Sequence, residues 1–512
     1  MLRETQWRAV IAVALAMVGG IALRGEVTLP PLFADQAVLQ RGQPLRIWGW
    51  ADAGEAVTVT FAGKSASTRA RADGTWLVTL PAQTESSAAQ ELVVVGKNTV
   101  RLHGIVVGDV WLCSGQSNME LAVASSLDAK REIAAATFPN LRQIKIGRRL
   151  TETLVENFSA TAWRAATPEQ VGNFTAVGYY FARQMARETG VPVGIINCSW
   201  SGTSIEPWLS GVALASRPEF TVIGERWSAD LAAYPERRKT FETVLAQWKA
   251  DEAQAEAKGE EAHAVFLKDH RMPRPPAGAP DHPYPGNPSA IYNGMIHPVR
   301  YVALRGVLWY QGEGNAVRAR EYAALFRALI TDWRRTFEQP ELPFFWVQIA
   351  NYVVDTDWAR LREAQTSALQ LPNTGQALTI DIGDPLNIHP ANKQEVGRRL
   401  ALIALAKLYE RPLEFSGPMF EGVRFEHGEA LVRFTHGAGL HSRSGRVMSL
   451  ELAGADHVFH EAEGRIENET LVVATSAVAE PLAVRYAWSG SPSANLYNLA
   501  GLPAAPFRSD DW

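Results

Sequence analysis

Short hydrophobic runs divide the 512-residue chain into three parts, and the first part has the period of β-strands. Between Val57 and Phe61, apolar residues alternate with threonines, which is typical of a strand with one buried face. The strand-like runs of this part are Pro44–Trp50, Ala56–Phe61, Thr75–Leu80, Glu91–Val95 and Thr99–Val107. We therefore predict an N-terminal β-sandwich over residues 25–107.

In the second part, residues 108–410, strand-like runs alternate with amphipathic runs of helical period such as Ala176–Glu188 and Ala319–Phe337. The strand-like runs are Val110–Cys113, Leu141–Ile146, Val193–Asn197, Gly306–Tyr310, Pro343–Ile349 and Gln376–Ile382. This alternation predicts an α/β domain with a parallel sheet covered on both faces. The segment 208–288 interrupts it, and its charged, Ala-rich and then Pro-rich composition predicts a helical insertion with an extended exit.

The third part, residues 411–512, returns to strand-like runs, including Ala430–Phe434, Thr470–Thr475 and Leu482–Trp488. It predicts either a C-terminal β domain or strands that are added to the first sandwich.

The first 24 residues have the pattern of a secretory signal peptide. Arg3 and Arg8 precede the uncharged apolar stretch Ala9–Ala22, which ends in small residues. We therefore expect an exported protein, periplasmic or secreted. The alternative is an uncleaved anchor, but the stretch is shorter than the ~20 apolar residues that span a bilayer. We expect no stable membrane insertion after cleavage.

Composition limits the partners and the kinds of site that we expect. The net charge of −4, without a long basic run, argues against nucleic acid as a partner. The 16 tryptophans fit either hydrophobic cores or platforms for sugar rings. The only two cysteines, Cys113 and Cys198, are too few for a zinc site by themselves, and they are either a disulfide or two buried thiols.

The stretch Gly108–Leu121, G-D-V-W-L-C-S-G-Q-S-N-M-E-L, carries the first candidate chemistry. An apolar run stops at small polar residues, which predicts a buried strand that ends at the carboxyl edge of the sheet. Ser117 would then begin the next helix, where backbone N–H groups face a developing oxyanion. The alternative is an ordinary capping serine. Met119 stands where the G-x-S-x-G elbow has its second glycine, which disfavours a standard lipase or peptidase.

Two further polar clusters follow predicted strands. Gly202, in the segment S-W-S-G-T-S-I-E, permits close approach of a ligand and offers an N–H to an oxyanion, although a plain turn glycine is the alternative. In W-Y-Q-G-E-G-N, the Gln311 amide is a candidate oxyanion donor. Glu313 and Asn315 are candidates for lining the site, and a solvated loop is the alternative.

The fourth cluster, D-I-G-D-P-L-N-I-H-P, places two carboxylates and His389 in one short loop. Pro390 holds His389 extended and suits the first turn of the helix that follows. A histidine fixed in this way is a good general base. The residues together predict that His389 takes the proton of Ser117 while Asp384 orients the imidazole.

Several of these segments resemble those of the sialate O-acetylesterases, which belong to the SGNH-type hydrolases. The similar segments are G-Q-S-N-M, W-S-G-T-S-I-E-P-W, N-G-M-I-H-P, W-Y-Q-G-E-G-N, D-I-G-D…I-H-P-A-N-K, L-F-A-D-Q-A-V-L-Q-R and Tyr486–Arg508. The resemblance implies a flavodoxin-like three-layer SGNH hydrolase domain between β modules. It implies Ser117 as the nucleophile and His389 as the base. It also supports Gly202 and Gln311 as oxyanion donors, without a metal or a cofactor.

The chain departs from the family pattern beside the catalytic histidine. Leu386 occupies the position three residues before His389, where many SGNH enzymes carry an aspartate. Asn387 and Ser201 also replace the residues expected at their positions, an aspartate and a glycine. Asp384 is our choice for the third member of the triad and Asp381 the second choice. A Ser–His dyad that a backbone carbonyl orients is the remaining alternative.

The sequence thus predicts a serine esterase that removes O-acetyl groups from a sugar or oligosaccharide through an acetyl-serine intermediate. The substrate is an O-acetylated sialic acid or, alternatively, a xylan or xyloglucan oligosaccharide. A basic residue for the sialic acid carboxylate is sought among Arg300, Arg318 and Arg362. A non-catalytic carbohydrate-binding protein is the alternative from another class.

Overall fold

A computed structural model describes residues 26–273, 275–276 and 285–512 of the chain. The predicted signal peptide, residues 1–24, and part of the Pro-rich exit of the insertion lie outside these described residues. Within them, an α/β domain lies between two all-β parts, so the predicted fold class is confirmed at this level.

The N-terminal part consists of strands in two sheets. Its strands are β1 (Val38–Gln40), β2 (Leu45–Trp50), β3 (Ala56–Phe61), β4 (Lys64–Arg69), β5 (Thr75–Leu80), β6 (Ser86–Val95) and the beginning of β7 (Thr99–Gly115). Strands β2 and β5 pair with each other, and β4, β3, β6 and β7 form the second sheet. The alternating residues Val57, Val59 and Phe61 are all buried, as their period predicts.

Strand β7 continues from the N-terminal part into the α/β domain without a break. Its first half pairs antiparallel with β6, and its second half is the central strand of the parallel sheet. The sequence predicts two strands here, with a domain boundary at 107/108, whereas the structure has one strand of 17 residues. Residues 105–115 are all buried, because both domains pack on this strand. The two domains therefore share one hydrophobic core, which extends from Val57 to Trp309.

The sheet of the α/β domain runs in the order β13, β12, β11, β7, β10, β8 and β9, and all neighbours except β8 and β9 are parallel. Its other strands are β8 (Phe138–Lys145), β9 (Arg164–Ala166), β10 (Val193–Ser199), β11 (Gly306–Tyr310), β12 (Phe344–Val347) and β13 (Thr374–Ala377). Because β10 and β11 flank β7, the loops that follow these three strands meet at one carboxyl edge.

Helices cover both faces of this sheet, which gives it a core on each side. They are α1 (Ser117–Glu120), α2 (Ala129–Ala134), α3 (Ala176–Thr189), α4 (Gly211–Ala215), α5 (Thr221–Ala257), α6 (Glu260–Asp269), α7 (Ala319–Thr336), α8 (Trp358–Thr366) and α9 (Lys393–Leu408). Helix α9 buries Val396, Leu400, Ile403 and Ala404, which are the apolar face that the sequence marks. Helices α5 and α6 form most of the insertion.

The C-terminal part is a separate antiparallel sheet in the order β14, β15, β19, β18, β17, β20 and β22. Its strands, with the small pair β16 and β21, are β14 (Met419–Glu426), β15 (Glu429–Thr435), β16 (His441–Ser442), β17 (Val447–Ala453), β18 (Phe459–Glu467), β19 (Thr470–Ala474), β20 (Ala483–Tyr486), β21 (Leu496–Tyr497) and β22 (Phe507–Arg508). Of the two alternatives for this part, the structure has a second β unit with a core of its own.

Candidate active site

Ser117 lies where β7 ends, as the first residue of the short helix α1. Gly115 makes the turn possible: its φ is +131°, and a Cβ there would come within 2.2 Å of the Tyr310 carbonyl oxygen. The backbone N–H of Gln116 donates to the same carbonyl at 3.0 Å, which fixes the turn against β11. Within the described residues the Ser117 N–H has no hydrogen-bond acceptor, so it remains available to an oxyanion.

His389 meets Ser117 although 272 positions separate them in the chain. The His389 Nε2 and Ser117 Oγ atoms are 2.7 Å apart, a distance for proton transfer. Burial, and after it the positive charge of Lys393, lower the pKa of His389. A lowered pKa keeps the imidazole neutral at ordinary pH, which is the form that accepts a proton.

The structure does not bring either predicted carboxylate to His389. Asp384 is exposed, and its Oδ1 accepts the Leu386 N–H at 2.9 Å. The Asp381 side chain is buried, but it accepts two hydrogen bonds of 2.7 and 2.8 Å from the guanidinium of Arg399. The predicted role of Asp384 therefore needs correction. The loop forms a turn in which the Asp384 carboxylate accepts a hydrogen bond from the backbone of the loop itself. Asp381, the second choice, forms a salt bridge with Arg399.

The His389 loop is instead held through its backbone. Asn387 Oδ1 accepts the His389 N–H at 2.9 Å, and Asn118 Nδ2 donates to the Ile388 carbonyl at the same distance. Asn118 follows Ser117 directly, so one side chain connects the serine turn to the histidine loop. No carboxylate of the described residues forms a hydrogen bond with His389, which agrees with the alternative of a Ser–His dyad.

Two charged groups complete this buried network, and the sequence analysis missed one of them. Lys393 Nζ donates to Asn118 Oδ1 at 2.6 Å, and Glu313 Oε1 accepts from Asn118 Nδ2 at 2.6 Å. Burial lowers the pKa of Lys393 to about 7 and raises that of Glu313. The signal for Lys393 was its place four residues after His389, at the first turn of a marked helix.

Gly202 lies in the loop after β10, next to α1. Its φ is +75°, a Cβ there would meet nothing within 4 Å, and its N–H has no acceptor within the described residues. Ser201 anchors the loop, because its N–H and hydroxyl donate to Glu120 Oε2 at 2.9 and 2.6 Å. Gly202 thus has a free N–H beside open space, as its predicted role requires.

Gln311 and Asn315 have structural positions instead of catalytic ones. Gln311 is fully buried; its Nε2 donates to Asn315 Oδ1 at 2.8 Å, and its Oε1 accepts the Tyr322 hydroxyl at 2.9 Å. Asn315 is also buried and accepts the Ile205 N–H at 2.8 Å. The predicted oxyanion role of Gln311 therefore needs correction: its amide is used to join the loops after β10 and β11.

The three arginines proposed for a substrate carboxylate also have other partners. Arg300 pairs with Glu156 at 2.7 Å, and Arg318 pairs with the buried Glu206 at 3.1 Å. Arg362 is fully buried and donates to four backbone carbonyls, those of Ile349, Ala350, Ser489 and Gly490. The structure gives none of them a contact with Ser117 or His389.

The cysteines are free and buried. In the parallel register of β7 and β10, Cys113 is opposite Asn197 and Cys198 is opposite Ser114. The two thiols therefore point to opposite faces of the sheet, which excludes a disulfide between them. Burial raises the pKa of both thiols.

The described residues contain no group of three or more His, Cys, Asp or Glu side chains that could hold a metal ion. None of their helices is long and apolar enough to cross a bilayer.

Comparison with known proteins identifies the family. A family model described as carbohydrate esterase, sialic acid-specific acetylesterase, matches residues 107–258 and 283–406, more than half of the chain. The chain belongs to this family. The matched residues include the segments of Ser117, Gly202, Glu313 and His389, and the protein is accordingly a carboxylic ester hydrolase.

Individual carbohydrate esterases are similar to this protein in sequence or structure along nearly the whole chain. The sialate O-acetylesterase of Rattus norvegicus is 30% identical over 90% of both chains. That of Homo sapiens is 28% identical over 90% of this chain and 88% of its own. The crystal structure of a carbohydrate acetylesterase from Xanthomonas citri superposes with a TM-score of 0.79, at 37% identity, over 95% of this chain and all of that one.

Proposed function

We propose that this carbohydrate esterase removes O-acetyl groups from sialic acids through an acetyl-Ser117 intermediate. The observation that carries the proposal is the 2.7 Å contact between Ser117 Oγ and His389 Nε2 at the carboxyl edge of the sheet. The family description favours a sialic acid as the substrate, and O-acetylated xylan or xyloglucan oligosaccharides are the alternative. The signal-like residues 1–24 favour export as the setting.

In the first half of the reaction, Ser117 Oγ attacks the acetyl carbonyl carbon while its proton passes to His389 Nε2. The negative charge that develops on the carbonyl oxygen is stabilised by the free N–H groups of Ser117 and Gly202. One such donor typically lowers the free-energy barrier by ~3–4 kcal/mol. His389 then returns the proton to the sugar oxygen as the C–O bond breaks, which releases the deacetylated sugar.

In the second half, His389 takes a proton from a water molecule that attacks the acetyl-serine carbonyl. Collapse of that intermediate returns the proton to Ser117 Oγ and releases acetate. Asn118 acts on this cycle only by holding the histidine loop through the Ile388 carbonyl. We also take the domain to be a variant of the flavodoxin-like SGNH hydrolases, because its three central strands carry the site loops.

The test is Ser117→Ala with acetate release from O-acetylated sialic acids and xylo-oligosaccharides as the measurement. We expect the variant to lose at least about 10³-fold in kcat, because a hydrogen-bonded nucleophile is removed. Intact-mass analysis of the wild-type enzyme during turnover should show one added acetyl group at Ser117.

The matched control is Ser65→Ala, in an exposed hairpin of the N-terminal part, and it should retain full activity. Activity that survives in Ser117→Ala would refute the nucleophile assignment. A preference for the xylo-oligosaccharides of more than about tenfold would move the substrate to the alternative class.

A further inference from the structure

A cationic pair lies beside the nucleophile, and the mechanism above does not use it. Lys145 Nζ and Arg148 Nη2 both contact the Glu120 carboxylate, at 2.9 and 2.7 Å. Glu120 is the last residue of α1, three positions after Ser117, so the two side chains share one side of a single helical turn. The pair therefore contacts the helix of the nucleophile directly, through its last residue.

The charges of this cluster do not balance. Two cations face one carboxylate, and no other carboxylate of the described residues lies within salt-bridge distance of Lys145 or Arg148. Although burial alone would raise the pKa of Glu120, hydrogen bonds from Ser201, Lys145 and Arg148 lower it to about 2. Glu120 is thus always charged near neutral pH, and one positive charge remains uncompensated.

Arg148 also has hydrogen-bond donors to spare. Only its Nη2 contacts Glu120, at 2.7 Å to both oxygens, while Nη1 and Nε have no acceptor within the described residues. The side chain is 46% exposed, and its guanidinium lies 5.3 Å from the centre of the Trp200 ring. Stacking and the Glu120 contact hold the guanidinium in one orientation, with its remaining N–H groups toward solvent.

The same cluster adjoins the loop that carries the second oxyanion donor. Trp200 N donates to the Gly115 carbonyl at 2.9 Å, and Ser201 is bound to Glu120. The guanidinium thus contacts Glu120, in the helix of Ser117, and Trp200, two residues before Gly202. A sugar whose acetyl group reaches Ser117 would extend over this cluster.

We propose that Arg148, assisted by Lys145, binds the carboxylate of an acidic O-acetylated sugar and so sets the preference of the enzyme for sialic acids over neutral sugars. This inference rests on the proposed function and makes it more specific. A guanidinium fork is suited to a carboxylate, because two parallel N–H groups meet its two oxygens. The rival interpretation is that both cations merely stabilise Glu120.

The experiment compares two substrates that differ only in charge: an O-acetylated sialic acid, and the same sugar with its carboxylate converted to the carboxamide. We expect the wild-type enzyme to prefer the carboxylate, with a preference in kcat/KM of roughly 10- to 100-fold. Arg148→Gln should abolish this preference through KM, with kcat nearly unchanged, and Arg148→Lys should retain part of it. Raising the salt concentration should weaken the wild-type preference, because the pair is partly exposed.

The matched control is Arg149→Gln, which removes the same charge one position further along, where the side chain donates to the Asn157 carbonyl. It should keep the wild-type preference. Equal rates of the wild-type enzyme on both sugars, or an equal loss on both in Arg148→Gln, would overturn the inference while leaving the esterase intact. No acetate release from either sugar would refute the proposed function itself, and the inference with it.

Discussion

At the scale of single residues, burial and, after it, the charge of Lys393 lower the pKa of His389. Lys393 reaches Asn118 under the active site, and its ammonium lies 4.9 Å from the centre of the Tyr310 ring. Burial lowers the pKa of Lys393, and the negative charge of Glu313 raises it in part. The lysine charge and burial together favour the neutral imidazole that the proposed mechanism needs.

Replacing Lys393 by methionine tests this dependence. Without the nearby positive charge the pKa of His389 should rise, so a larger share of the base is protonated at low pH. The acidic limb of the kcat/KM profile, measured by acetate release, should therefore move to higher pH by up to about one unit. The change is close in volume, so we expect the variant to fold.

Lys407→Met on the same helix is the control, since it lies 14 positions further along, about 21 Å away at the rise of an α-helix. It should leave the profile where the wild type has it. An acidic limb in Lys393→Met that stays in place, or moves to lower pH, would contradict the assignment.

The serine and the histidine were predictable because each one follows a clear local pattern, a strand end for Ser117 and a proline-fixed loop for His389. Their neighbours were not. The amide of Gln311 follows a strand just as Ser117 does, but burial is decided by how the loops after β10 and β11 pack together. Arg148 carries no signal in the sequence, because its proposed role depends on contacts with Glu120 and Trp200, which are distant in the chain.

At the scale of elements, the end of β7 is under a steric constraint that only glycine satisfies. Gly115 combines a positive φ with the close approach of the Tyr310 carbonyl. Any side chain there would push β7 away from β11, two residues before Ser117. The rigidity of this strand end is therefore part of the geometry of the active site.

We expect Gly115→Ala to lower the free energy of unfolding by roughly 2–4 kcal/mol and to reduce kcat/KM by more than tenfold. Guanidinium unfolding and acetate release measure the two effects. Gly190→Ala is the matched control, because its φ of +71° is also positive but nothing lies within 4 Å of a Cβ there.

Gly190→Ala should cost only about 1 kcal/mol and leave kcat/KM unchanged. Equal catalytic losses in the two variants would show that backbone strain, and not the contact with Tyr310, is responsible.

The elements themselves were predictable to different degrees. Helices with one apolar face, such as α3 and α7, and the fully apolar strand β11 are predicted close to their observed bounds. Strand β4 was missed because its sequence K-S-A-S-T-R is polar and largely exposed, so that only pairing with β3 makes it a strand. The continuity of β7 was missed because Gly108 and Asp109 interrupt the apolar run, although both lie within the strand.

At the scale of the whole molecule, Arg362 connects the C-terminal β unit to the α/β domain. It has no carboxylate partner in the described residues, and its four hydrogen bonds go to carbonyls on both sides of the joint. The Tyr352 N–H adds a hydrogen bond of 3.0 Å to the Gly490 carbonyl. Since the Val353 N–H donates to the Pro385 carbonyl, the joint also supports the loop of His389.

Arg362→Met should therefore destabilise the protein by at least about 3 kcal/mol, because several buried carbonyls lose their donors. We expect the C-terminal unit to unfold first, so that one calorimetric transition becomes two. Arg424→Met, on the exposed strand β14, is the control and should leave a single transition. An unchanged transition in Arg362→Met would mean that the joint depends on other contacts.

The uninterrupted β7 has a practical consequence for anyone who wants a smaller enzyme. A gene trimmed to start at codon 108 would sever a strand in its middle and remove β1 and β6, which pair with the first half of that strand. The apolar residues of the sheet that share a core with the N-terminal part would then be uncovered, which would invite aggregation. For this esterase, the amino-terminal module is inseparable from the scaffold that presents the reactive hydroxyl, and swapping it between relatives amounts to rebuilding the catalytic sheet.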